Sequence, residues 1–153
     1  MKLKFLLLFA LVLSLGTLSA SAQKFEKGST YLTATVGVGG YGLPIAVQYE
    51  KGVYDINENM SIGVGGYAGI AFYNSSSLFA IAANGTYHYT QFESWDLYGA
   101  VRLGFEHWGW SSYSGFLWGA NVGARYFFNE KFAVAAEFGY GVSYANIGVT
   151  YAF

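Results

Sequence analysis

The chain carries two histidines, His88 and His107, and no cysteine, so any chemistry has few groups to work with. His107 has the richer neighbourhood: Glu106 precedes it, and Ser111, Ser112 and Ser114 follow in "HWGWSSYSG" (107–115). A serine nucleophile, a histidine base and a carboxylate orienter are the parts of a hydrolase triad. Serine is also a common turn residue, and nearness along the chain does not set triad geometry. The hydrolase reading is therefore the minor one. Two histidines without clustered carboxylates build no metal centre, and cysteine-based structural sites are excluded. The stretches "GVGG" at 37–40 and 63–66 are not phosphate loops, because no helical pattern follows them. No catalytic, cofactor-binding or metal-ligating set is expected, and no cofactor.

The other candidates are polar residues set singly into apolar, alternating segments. "DLYGAVRLGFE" places Leu97, Val101, Leu103 and Phe105 on one face and Asp96, Tyr98, Arg102 and Glu106 on the other. "GFLWGANVGARYFF" sets Phe116, Trp118, Val122, Tyr126 and Phe128 against Asn121 and Arg125. "FAVAAEFGY" sets Phe132, Val134, Phe138 and Tyr140 against Glu137, and "PIAVQYE" sets Ile45, Val47 and Tyr49 against Gln48 and Glu50. "LFAIAANGTYHYT" does the same with Asn84 and His88 on its small face. Period two means strands. "TYLTATVGV", "SIGVGGYAGIAFY" and the closing "SYANIGVTYAF" raise the count to eight. Turn residues lie between them, at Gly39–Gly42, Asn57–Asn59, Asn74–Ser77, Gly109–Ser112 and Asn129–Glu130.

The opening "MKLKFLLLFALVLSLGTLSASA" has Lys2 and Lys4, an apolar run from Phe5 to Leu13, and small residues ending Ala20-Ser21-Ala22. This is the pattern of a secretory signal peptide, residues 1–22, and the apolar run is short for a bilayer-spanning helix of about 20 residues. Residues 23–153 then form one domain with six Lys/Arg against nine Asp/Glu. That balance gives no reason to expect nucleic acid as a partner. One residue in five is aromatic and only 11% are charged, where a soluble surface carries roughly 25–35% charge. The small, nearly uncharged face would make a poor water-facing surface. Inverted, with bulky residues on lipid and small and polar ones filling a narrow interior, the pattern is that of a transmembrane barrel.

The expected fold is therefore all-β: an eight-stranded antiparallel, up-and-down outer-membrane barrel with both termini periplasmic. Arg102, Glu106, Arg125, Glu137, Glu50, Gln48, Asn84, Asn121 and His88 point inward by parity. Arg125 and Glu137 flank one tight turn and are expected to pair. Eight strands leave an interior just wide enough for side chains, so an ion network plugging it is expected, with a thin water path as the alternative. Aromatics gather at both sets of strand ends, as girdles at the headgroups do. Trp108, Trp110 and Tyr113 fall at the outer rim, as girdle residues or as contacts for lipopolysaccharide or a partner.

With its leader, "NVGARYFFNEKFAVAAEFGYG" (121–141) and the ending "IGVTYAF", the chain resembles the small eight-stranded outer-membrane β-barrel proteins of Gram-negative bacteria, of the OmpX and OmpA-barrel type. It is similar in feel to the short porin-like barrels of the Bacteroidota. The resemblance covers essentially all of residues 23–153. It implies a non-enzymatic, monomeric envelope protein in contact with outer-membrane lipid and lipopolysaccharide. It also implies that Tyr151 and Phe153 resemble the C-terminal signal read by the barrel assembly machinery. The outer connections are short, unlike the protruding strands of OmpX-type proteins, which weakens the carry-over of an adhesion role.

Overall fold

The computed structural model describes residues 24–39, 42–73, 76–109 and 113–153. The leader, Trp110, Ser111 and Ser112 lie outside the described residues. The alternating segments form β1 (Thr30–Val38), β2 (Leu43–Asn57), β3 (Met60–Tyr73), β4 (Ser76–Tyr89), β5 (Trp95–Trp108), β6 (Tyr113–Phe127), β7 (Phe132–Tyr140) and β8 (Ala145–Ala152). Each strand pairs antiparallel with its chain neighbours, and β1 also pairs with β8, so the sheet closes into a barrel. The closing seam runs from Tyr31 opposite Ala152 to Val38 opposite Ala145. Inside it the hydroxyls of Thr33 and Thr150 lie 2.8 Å apart. Closure leaves no unpaired edge, which a sheet in hydrocarbon requires.

Local chemistry sets the turns. Asn129 Oδ1 accepts from the backbone N–H of Lys131 and Phe132 and closes the β6–β7 turn. Asn57 Oδ1 accepts from Asn59 N at the β2–β3 turn. Such side chains mimic a turn's own backbone bonds. Strand β2 runs on to Asn57, beyond the sequence expectation of residues 44–50. Its register shifts between Gly52 and Tyr54 and again between Asp55 and Asn57, and such irregularities bend a strand at a sheet's rim.

The exterior is apolar. Ile81, Val101, Leu103, Phe105, Phe116, Val122, Val134 and Ile147 stand exposed around the wall. A contiguous apolar belt of this kind suits lipid and not water. Aromatic pairs gather toward both rims. Trp95 and Tyr126 lie 5.1 Å apart, and Phe132 and Tyr151 5.0 Å apart, at the end holding the termini. Trp118 and Tyr140 lie 4.8 Å apart toward the far end.

The interior differs from the small-residue filling expected. Tyr31, Tyr67, Leu78, Tyr98, Trp108, Leu117 and Phe127 all point inward and are buried. Glycines opposite them make the room. A Cβ on Gly63 would meet the Phe25 ring at 2.9 Å, and one on Gly123 would sit 2.7 Å from Tyr98 Cε1. The small face is therefore small so that rings from its neighbours can lie over it. Two apolar layers result. One, near the termini, joins Phe25, Tyr31, Phe127, Ala133 and Ala152. The other, toward the far end, joins Ala46, Tyr67, Leu78, Trp108, Leu117 and Val142 with neighbouring alanines. The polar residues lie between and beside these layers.

Candidate functional site

The inward polar residues form two linked ion clusters. The first centres on Arg125, fully buried on β6. Its Nη1 donates to Asp96 Oδ2 at 3.0 Å, and its Nη2 pairs with Glu50. Asp96 is the residue directly opposite Arg125 on β5. The guanidinium lies 4.1 Å from the Tyr98 ring centre and 5.4 Å from that of Tyr31, within cation–π range of both electron-rich rings. His88 completes the cluster. Its Nδ1 lies 2.9 and 3.1 Å from the two Asp96 oxygens, and its Nε2 2.9 Å from Thr86 Oγ1 and 3.5 Å from Glu50 Oε1. Phe25, from the segment ahead of β1, stacks on the imidazole at 3.7 Å. That segment is pinned at the same end, where Ser61 Oγ donates to the Phe25 carbonyl at 2.8 Å and Gly28 N to Gly52 O at 2.9 Å.

The second cluster is at mid-height. Arg102 Nη2 donates to Glu137 Oε2 and Oε1 at 2.8 and 2.9 Å and also to Gln48 Oε1. The guanidinium stands 4.5 Å over the Tyr67 ring. Tyr98 OH donates to Glu137 Oε2 at 3.1 Å, and its ring faces Arg125, so one tyrosine ties the clusters together. These pairs cross the lumen: β5 is joined to β2 and β7, and β6 to β2. Charges buried this deeply are tolerated only when paired, and removing one partner costs far more than the pair contributes.

The expected Arg125–Glu137 pair does not form. Across the β6–β7 ladder Arg125 faces Ala135, and Glu137 faces Gly123. Parity gives the face correctly but not the height, and the stagger of the strands brings Arg125 level with Asp96 and Glu50 instead. Asp96 is the residue that the sequence reasoning left out of the site, although its place on the Arg102 face of β5 signals it. Asn84 and Asn121 are buried beside Arg102, and Glu106 is half-buried nearer the far end.

Trp108 also departs from expectation. The sequence pattern puts it at the outer rim as a contact residue, yet it shares a face with Glu106 and points inward, and its indole donates to Glu106 Oε1 at 3.0 Å. Tyr113 is exposed at the far rim, and Trp110 lies outside the described residues. The triad drawn from the sequence is not assembled among the described residues. Ser114 Oγ sits 3.0 Å from His107 Nδ1 on the outward face, but Glu106 turns to the other side of the strand to meet Trp108. Tyr151 and Phe153 lie against each other at 4.9 Å at the close of β8. A shallow apolar groove of about 620 Å³, lined by Val47, Tyr49, Ile81, Leu103 and Phe105 among others, runs over β2–β5. Val47, Tyr49, Ile81, Leu103 and Phe105 are all exposed.

No protein-family model matches the sequence, and no curated protein does. Solved structures do. The chain is similar to the N-terminal β-barrel domain of Pseudomonas aeruginosa OprF, with 15% identity and a TM-score of 0.60 over 83% of this chain and 98% of that one. It is similar to a de novo designed transmembrane β-barrel, with 17% identity and a TM-score of 0.61 over 86% and 100%. It is also similar to Ail, the attachment invasion locus protein of Yersinia pestis, with 17% identity and a TM-score of 0.54 over 83% and 99%. The fold is that of a small eight-stranded outer-membrane β-barrel.

Proposed function

We propose that this protein is exported and inserted into the outer membrane of a Gram-negative bacterium as a closed, non-enzymatic barrel with an envelope structural or surface-interaction role. The observation that carries this reading is the crosswise filling of the interior. Arg125 spans from Asp96 to Glu50, Arg102 spans to Glu137, and apolar layers lie toward both ends. With the described interior filled in this way, the working surfaces are the lipid-facing wall and the outer rim, where Tyr113, Phe116 and Trp118 are exposed. In this reading both termini are periplasmic, and the wall contacts lipid and lipopolysaccharide. Tyr151 and Phe153 serve the barrel assembly machinery, and the monomer is the working form. The stretch 121–141 and the ending "IGVTYAF" support kinship with the porin-like barrels of the Bacteroidota.

The second reading is a narrow channel for ions or small solutes. It is favoured by one observation: buried polar atoms of Asn84, Arg102 and Asn121 have no protein hydrogen-bond partner among the described residues. Planar-bilayer recording of the refolded barrel separates the two. The closed reading expects no discrete conductance from protein shown to be folded by a heat-dependent gel shift. Steady unitary steps that change with Arg102→Gln would establish the channel instead.

A further inference from the structure

Of the seven buried side-chain polar atoms with no protein hydrogen-bond partner among the described residues, four lie on Asn84, Arg102 and Asn121: Nδ2 and Oδ1 of Asn84, Nε of Arg102 and Oδ1 of Asn121. Their residues are 3%, 6% and 5% exposed. They occupy consecutive strands. Asn84 on β4 stands directly opposite Arg102 on β5. Arg102 stands opposite Gly119 on β6, and Asn121 is the next inward-facing residue along that strand. Two of the atoms carry N–H groups and two are carbonyl oxygens, so they ask for a ligand that both donates and accepts. Buried polar groups are almost always bonded, and enclosed water settles where two to four of them converge.

We infer that Asn84, Arg102 and Asn121 form a hydration site inside the barrel, whose ligand is water held as one or a few ordered molecules. Charge argues for a neutral ligand. Glu137 already neutralises Arg102, so an anion finds no net positive charge, and a cation would sit against a guanidinium. The water extends the polar column that β4 begins with His88 and Thr86, and joins it to the Arg102–Glu137 pair. The enclosure of the site, though not its hydration, rests on the closed-barrel reading. Tyr67, Leu78, Trp108 and Leu117 lie on the far-end side, and Phe25 over His88 on the other.

The test is nuclear magnetic resonance of the ¹⁵N-labelled barrel, residues 23–153, refolded in micelles. It compares laboratory-frame and rotating-frame Overhauser transfer from water to the Asn84 side-chain amide and to Arg102 Nε–H. The site expects cross-peaks whose relative sign is that of water tumbling with the protein. Asn84→Leu should weaken the Arg102 Nε–H peak several-fold while the backbone amides keep their barrel dispersion, and Asn121→Leu serves should Asn84→Leu not fold. Absence of water cross-peaks in the unsubstituted barrel overturns the site and leaves the closed barrel standing. Cross-peaks with the sign of freely diffusing water overturn the enclosure, and with unitary conductance they would take the closed-barrel reading down as well.

Discussion

Arg125 shows how little freedom a single residue has in this interior. It is fully buried, salt-bridged to Glu50 and Asp96, and flanked by the rings of Tyr31 and Tyr98. Arg125→Met leaves two carboxylates facing one imidazole and is expected to cost about 3–5 kcal/mol, read as a lower urea midpoint for unfolding in micelles. Adding Glu50→Gln should recover part of that loss, because Asp96 and His88 still pair. The glycines give a sharper contrast. Gly63→Ala drives a methyl against Thr86 Oγ1 and the Phe25 ring and should cost about 1–3 kcal/mol by the same measurement. Gly85→Ala meets only Val101 Cγ2 at 3.6 Å, an ordinary contact, and should be close to neutral. At this scale the sequence was legible in part. The inward set containing Arg102, Arg125 and Glu137 followed from parity. Which charge meets which did not, because parity is blind to stagger. Trp108 turns inward because, two residues beyond the inward Glu106, it shares that face of β5; its nearness to the outer loop does not decide its direction.

At the scale of the element, period two carried most of the information. Segments such as Thr30–Val38 and Phe132–Tyr140 begin and end where alternation does. The pattern failed where a strand bends, and β2 continues to Asn57 through two register shifts that interrupt its alternation. Phe25 was illegible for a different reason. It belongs to no strand, and only the folded chain brings it onto His88. The outer face of each strand should report its environment directly. Val101 lies near the middle of β5 and is exposed. Val101→Arg is expected to destabilise the barrel in a bilayer by about 2–4 kcal/mol, as a cation at the midplane does. The check is the unfolding free energy measured in phospholipid vesicles. A cost near zero there would mean that this wall faces water.

The whole molecule inverts the usual arrangement of a soluble domain, with charges paired inside and an apolar belt outside. The low charge content announced this, since a chain with 11% charged residues cannot clothe a water-facing surface. Closure by β1 and β8 then follows from the need to satisfy every backbone group in hydrocarbon. Carbonate washing of membranes from expressing cells should leave the protein in the pellet. Release into the supernatant would point to a soluble barrel and remove the basis for the membrane reading.

The glycine-and-ring packing has a consequence on the timescale of descent. Gly63 leaves room for Phe25 as well as Thr86, and Gly123 for Tyr98, across strands or from outside the sheet altogether. Neither member of such a couple can drift alone: a side chain gained at one position must be matched by one lost at the other. Lineages of this barrel should therefore exchange bulk between positions 63 and 25, and between 123 and 98, in correlated steps. Outward positions such as 101 and 134 should wander independently among apolar types.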